Sequence, residues 1–267
     1  MPVPPAGEGP DGLIQEISIR MAILTFFTAH WFLSLFSQTF FQHRYGSHKM
    51  FVLSPFAERF FYLMTFFFQG PSFLVPRAYA VLHRMHHAFS DTGADPHSPH
   101  FSADPFRMMW QTKLHYAGLV RRTVAPPPEF AKDVPEWKAL DRFADSVYTR
   151  VAWGALYFVF YWHFASSAWL YLLLPVHFLM GVIHGAIVNW CGHRYGYRNF
   201  SIRDKSRNTL PIDFLMMGEL YQNNHHKNPN KAHFAVRWFE FDPAYPIIWL
   251  LNRLRIIRPA LPSRSSS

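Results

Sequence analysis

The stretch HRMHHAFSDTGADPHSP, residues 83–99, decides how this chain is read. His83, His86 and His87 stand at i, i+3 and i+4, so a helix would present all three imidazoles on one face, within reach of one or two metal ions. QNNHH at 222–226 repeats the spacing, with Gln222 in the first place and His225 and His226 in the others. Two matched triplets point to two metals held between facing helices. In HRYGSH, residues 43–48, the two histidines are five apart. That is about 140° round an ideal α-helix, so His43 and His48 converge only if the helix unwinds, for which Gly46 is the natural place. NWCGH at 189–193 sets Asn189 and His193 at i and i+4, one imidazole beside an amide able to hold a metal-bound water.

Adjacent histidines in a polar helix have no packing rationale, and they are read here as ligands. Isolated histidines near the ends of apolar segments, His30, His115, His163 and His177, are read as packed or interfacial side chains. His184 differs because it lies inside an apolar helix, where ionisable groups tend to be functional.

Composition narrows the chemistry. Half of the 267 residues are hydrophobic and 28 are phenylalanine, yet the mean hydropathy is near zero, so apolar and polar material is segregated into blocks. Cys191 is the only cysteine, which excludes an internal disulfide and any cysteine-based zinc or iron–sulfur site. The net charge of +9 comes without a nucleic-acid recognition motif and fits basic residues flanking membrane segments.

The blocks read as one domain over residues 1–267, opening on a flexible Pro/Gly-rich tail over 1–17. Met21 to Phe41 approaches the roughly 20 residues that cross a ~30 Å hydrocarbon core. Phe60 to Phe68 is too short and reads as interfacial. Val151 to Phe164 and Ala168 to Val188 read as a helical hairpin closed at Ser166 and Ser167, and Arg121 to Arg150 as a partly helical connection. With that parity every histidine cluster falls on one side of the bilayer, and the basic loops place that side in the cytoplasm. The expected fold is all-α, an integral-membrane stem of three to four spans beneath a cytosolic helical cap.

These segments resemble the membrane fatty acid desaturases of the acyl-CoA type. HRYGSH is similar to the family's first histidine box, HRMHHAFSDTGADPHSP to the second, NWCGHRYGYRNF to its Asn-to-His motif, GELYQNNHHKNP to the last box and WFEFDPAYPIIWLLNRLRII to the helix that follows. The resemblance implies two irons that use dioxygen to remove two hydrogens from a saturated acyl chain. It implies as ligands His43, His48, His83, His86, His87, His193, His225 and His226, with Asn189 acting through a water. Gln222 stands where the family has histidine, so one iron is expected to be held less well, to gain a water, or to recruit His184 or His97. Asp91, Asp95 and Glu219 are candidates to orient the ligands from behind.

An unactivated methylene cannot be attacked by acid or base, and zinc lacks redox chemistry, so iron is the metal expected. The expected substrate is a fatty acyl group carried as acyl-CoA or acyl lipid, with a separate ferredoxin, rubredoxin or cytochrome as electron donor. Arg77, Arg84, Lys113, Arg194, Arg198, Lys227 and Lys231 are candidates to dock that donor or an anionic head group. The site is expected in a bacterial inner membrane, facing the cytoplasm. The competing readings are a related hydroxylase or an alkene- or acetylene-forming enzyme, a metal transporter, and a silent lipid-binding relative.

Overall fold

The computed structural model describes residues 10–260, with side chains described from Met21 onward. Of the expected tail, residues 1–9 lie outside this range. Residues 10–17 are helical instead: α1 runs over Pro10–Ser37, and a proline suits a first turn because its missing N–H has no helical partner there. Without a break, α1 passes into a π-helical stretch, Gln38–Ser47.

The chain continues through β1 (Phe51–Leu53), α2 (Pro55–Gln69), a 3-10 turn at Gly70–Ser72 and α3 (Pro76–Phe89). Next come α4 (Pro105–Arg121), α5 (Pro128–Ala131), α6 (Lys138–Ala144) and α7 (Val147–Phe164). A 3-10 turn at Ala168–Leu173 leads into α8 (Leu174–Arg194), then α9 (Gln222–Lys227), α10 (Ala244–Arg253) and β2 (Ile257–Pro259). Helix dominates, as the pattern predicts. The departure is a two-stranded antiparallel ribbon pairing Phe51 with Pro259 and Leu53 with Ile257. It forms because Phe51, Leu53 and Ile257 all turn into the core, fastening the segment after α10 to the one after the first histidine motif.

The starts of the helices follow from local chemistry. Prolines occupy the first turns of α2, α3, α4 and α8, where their fixed φ costs nothing. Ser54, Asp104 and Ser146 accept hydrogen bonds from backbone N–H groups at the starts of α2, α4 and α7, satisfying donors left over by the helix. The cap at Ser146 explains why α7 begins four residues before Val151.

Among the described residues two stretches are long and apolar enough to cross a membrane, Met21–Ser47 and Ala168–Arg194. Helices α1, α7 and α8 meet through Ile23, Tyr157, Tyr161 and Leu174. His30 and His177 pack there too, their Nδ1 atoms 2.6 Å apart and the Tyr161 hydroxyl 2.8 Å from His177 Nε2, while His115 and His163 are exposed.

The reversal from α2 to α3 is held by polar clamps. Gln42 Nε2 donates to the Leu74 carbonyl at 2.6 Å, Gln69 accepts from Leu74 N at 2.9 Å, and Arg150 donates to the carbonyls of Pro71 and Phe73 at 2.6 and 3.0 Å. α8 presses close to this turn because residue 181 is glycine, where a Cβ would stand 3.2 Å from the Ser72 carbonyl oxygen. The largest core cluster, including Phe40, Phe41, Tyr62, Phe73, Val81 and Phe234, joins the π-helix to α2, α3 and the segment after α9.

Candidate metal centre

Four elements deliver the histidines: the π-helix, α3, the last turn of α8, and α9. The π-helix is the device that aligns the first motif. Its wider turn bonds residue i to i+5, and His48 N donates to the His43 carbonyl at 3.2 Å, so the fifth residue stands nearly over the first. The predicted unwinding at Gly46 is therefore replaced by widening across Gln38–Ser47. Arg84 of α3 donates to the carbonyls of Gly46 and Ser47 at 3.1 and 2.7 Å, satisfying groups that the end of the π-helix leaves free.

The imidazoles fall into two groups. His43, His48, His83, His87 and His225 bring one ring nitrogen each to within 4.8 Å of the others, and His86, His193 and His226 do the same. In the first group Nε2 of His225 is 3.0 Å from Nε2 of both His43 and His87, and Nε2 of His48 is 2.8 Å from Nε2 of His83. Imidazole nitrogens bind a divalent ion at about 2.1 Å, and two such ligands at right angles are about 3.0 Å apart. In the second group Nε2 of His86, His193 and His226 is buried without any hydrogen-bond partner. Buried polar atoms are almost always satisfied, so three convergent unpartnered lone pairs fit a cation as their common partner. These donor sets fit two ions of the kind imidazole prefers.

Behind the rings stand carboxylates. His86 Nδ1 lies 3.0 Å from both oxygens of Asp95, His193 Nδ1 is 2.9 Å from Asp91, His226 Nδ1 is 3.2 Å from Asp204, and His43 Nδ1 is 2.7 Å from Glu219. A carboxylate on Nδ1 fixes the tautomer with the lone pair on Nε2, aimed at the metal. Burial first, and neighbouring imidazoles second, hold His48, His83, His86, His87 and His225 far below the usual histidine range. They are neutral, as ligation requires. Burial would raise Asp91 and Asp204, but their hydrogen bonds, first of all to the rings of His193 and His226, outweigh it and hold both carboxyls low.

The structure also places the residues whose part was open. His97 carries two buried unpartnered nitrogens, its ring centroid 4.4 Å from that of His86, and it forms a third potential ligand group with His86 and Asp95. Asn189 donates its amide to the Gly185 carbonyl at 2.9 Å, leaving its oxygen as the available acceptor. Gln222 donates to the Glu219 carbonyl at 2.7 Å and lies against Gly192, where any Cβ would collide with it. His184 is not brought to either group. It precedes His193 by nine residues, about 13 Å along a helix axis, and its ring sits edge-on to Trp31 at 4.5 Å.

Of the candidate docking cations, Arg84 and Arg194 are half-buried and donate to carbonyl groups, Arg198 is exposed and donates to the Ile202 and Asp204 carbonyls, and Arg77 lies 3.8 Å from Glu136. Lys227 and Lys231 are exposed. Asp204 was not anticipated. Its one sequence signal is that it is the sole acidic residue between His193 and Asp213. Asp204→Asn is expected to weaken metal retention about 10- to 100-fold, the usual cost of losing such a ring partner. Titration of the purified variant with a competing chelator reads that shift, and unchanged retention would remove Asp204 from the site.

Beside the imidazoles opens an apolar cavity of about 580 Å³, whose wall includes His83, His97, Asn189 and Glu219 at one end and Phe178, Leu179 and Val182 of α8 at another.

A profile described as fatty acid desaturase matches residues 19–252. Among curated proteins the chain is 26% identical over 240 residues to a hex-5-enoyl-(acyl-carrier protein) acetylenase of Moorena producens, covering 85% of this chain and 73% of the relative. It is 28% identical over 218 residues to an sn-1 stearoyl-lipid 9-desaturase of Anabaena variabilis, covering 79% and 74%. An acyl-CoA 5-desaturase of Anemone leveillei is 29% identical over 222 residues, covering 82% and 65%.

Proposed function

This chain belongs to the fatty acid desaturase family, and we propose that it is an oxygen-dependent iron enzyme that introduces a double bond into a saturated acyl chain. The observation that carries the proposal is the pair of imidazole groups set against the end of an apolar cavity. His43, His48, His83, His87 and His225 would hold one iron, and His86, His193 and His226 the other. Asn189 would act through a water, and His97, its ring beside that of His86, would add a ligand to the less complete set, with Gln222 as the other candidate. What iron supplies when bound is redox chemistry with dioxygen, able to remove hydrogen from an unactivated methylene.

The protein's own contribution is placement. Asp91, Asp95, Asp204 and Glu219 fix ring orientation, and neutral ligands leave the positive charge on the ions. The apolar wall excludes water from the reacting carbons and aligns the chain. In the balance of the reaction the acyl chain gives up two hydrogens, a separate carrier gives two electrons, the solvent gives two protons, and dioxygen leaves as two waters. The reading takes the chain as one multi-pass membrane domain in a bacterial inner membrane, with the histidines on the cytoplasmic side.

Expression with a ferredoxin and its reductase, followed by mass spectrometry of total acyl chains, tests the proposal. A new mono-unsaturated species is expected, whereas a hydroxylated or acetylenic product would assign the centre to the sister chemistry that the acetylenase relative represents. Gln222→His is expected to keep that product. Total inactivation would show instead that the amide's hydrogen bond to Glu219 is required.

Acid should loosen the site. In the unfolded chain these histidines protonate near 6.5, while in the fold burial lowers them, so below that pH the unfolded state binds more protons and stability falls. The thermal midpoint of iron-stripped protein is expected to drop steadily as pH is taken from 7.5 to 5.5, and a flat profile would contradict neutral burial of the cluster.

A further inference from the structure

The walls of the cavity indicate how its occupant arrives, and this inference rests on the reading that the occupant is an acyl chain. At the metal end the lining residues His83 and Glu219 are half-buried and buried. At the other side the wall is made by Phe106 and Trp110 of α4 and by Phe178, Leu179 and Val182 of α8, which are 86, 58, 37, 52 and 37% exposed. Helix α8 belongs to one of the two stretches able to cross a membrane. Its residues 178–182 lie 11 to 15 positions before His193, about 16–22 Å along the axis. At that depth the exposed Phe178, Leu179 and Val182 of α8 suit hydrocarbon rather than water.

Charge at the rim points the same way. Among the described lining residues the cations are Lys113 and Arg150. Arg150 is occupied by Asp145 at 2.7 Å and by the carbonyls of Pro71 and Phe73. Lys113 is left, exposed and 4.5 Å over the ring of Trp110. A lysine beside a tryptophan is the pairing found at the head-group level of a bilayer. It matches the single phosphodiester of a phospholipid, whereas the several phosphates of coenzyme A call for a cluster of cations.

We propose that the acyl chain enters sideways from the bilayer, between α4 and α8, and that the substrate is the acyl chain of a membrane glycerolipid, not an acyl-CoA. The head group stays at the interface near Lys113 and Trp110 while the chain lies along α8 toward the imidazoles.

The test uses the full-length protein in dioleoylphosphatidylcholine vesicles, supplied with NADPH, ferredoxin reductase and a plant-type ferredoxin. One arm carries deuterated stearoyl chains in phosphatidylcholine and the other deuterated stearoyl-CoA. In parallel, without any turnover, a phosphatidylcholine bearing a photoreactive diazirine on its chain is crosslinked and the labelled peptides are mapped. Deuterated product from the lipid arm is expected, with label on the Phe106–Trp110 and Phe178–Gly185 segments that excess distearoylphosphatidylcholine removes and stearoyl-CoA does not. Val182→Trp, a change at an exposed position, should fill the side opening and lose the label. Product from the coenzyme A arm alone, or label displaced by stearoyl-CoA alone, would overturn lipid entry and leave the desaturase reading standing. Product in neither arm with the mapped label intact would overturn the desaturase reading and support lipid entry.

Discussion

His86→Ala is expected to abolish product and to empty the second of the two imidazole groups. His86 is fully buried, its Nε2 without partner and its Nδ1 held by Asp95. It is one of only three imidazoles that converge in that group. Removing one of three ligands cannot be compensated by the solvent, because the group is closed off from it. Asp95, whose side chain is wholly buried, would also lose the ring it faces, which makes the vacancy worse. Iron content and acyl products of the purified variant decide the matter, and retained turnover would remove His86 from the centre. The control is His184→Ala, which should keep its iron, since His184 lies against Trp31 away from both groups.

Arg44→Ala is expected to destabilise the fold by about 3–5 kcal/mol, the cost of leaving buried charge without its partner. Arg44 is completely buried on the π-helix. Its guanidinium donates to Asp242 at 2.8 Å and Thr39 at 2.6 Å and lies 4.0 Å over the Phe234 ring. Asp242 in turn accepts from the backbone N–H of Phe234, so one side chain locks the first histidine motif to the segment that follows α9. Lysine cannot reproduce the fork that reaches Asp242 and Thr39 together. Thermal unfolding in detergent measures the loss. A midpoint unchanged from the parent protein would show that Arg44 is dispensable.

Much of this arrangement is legible in the sequence because helical spacing is local. The i, i+3, i+4 pattern of HRMHH states which side chains share a face, and the folded α3 turns those rings toward the rings from α9 and the π-helix. The widening of the first motif is not legible in the same way, since a π-helix differs from an α-helix in its hydrogen-bond partners and not in its residue types. Asp204 was hidden because it meets His226 only through tertiary folding, across 22 positions of chain. His184 misled because an ionisable group in an apolar helix signals function without saying at what depth. The cavity rim was invisible for a related reason: exposure of Phe178 or Val182 depends on what fails to cover them, and nothing nearby in the chain encodes that.

The central claim is that these imidazoles cage two redox ions. Elemental analysis of protein purified without chelator, read as metal per chain, tests it most directly. Iron approaching two per chain is expected; a chain with almost no metal, or one carrying stoichiometric zinc, would contradict the cage.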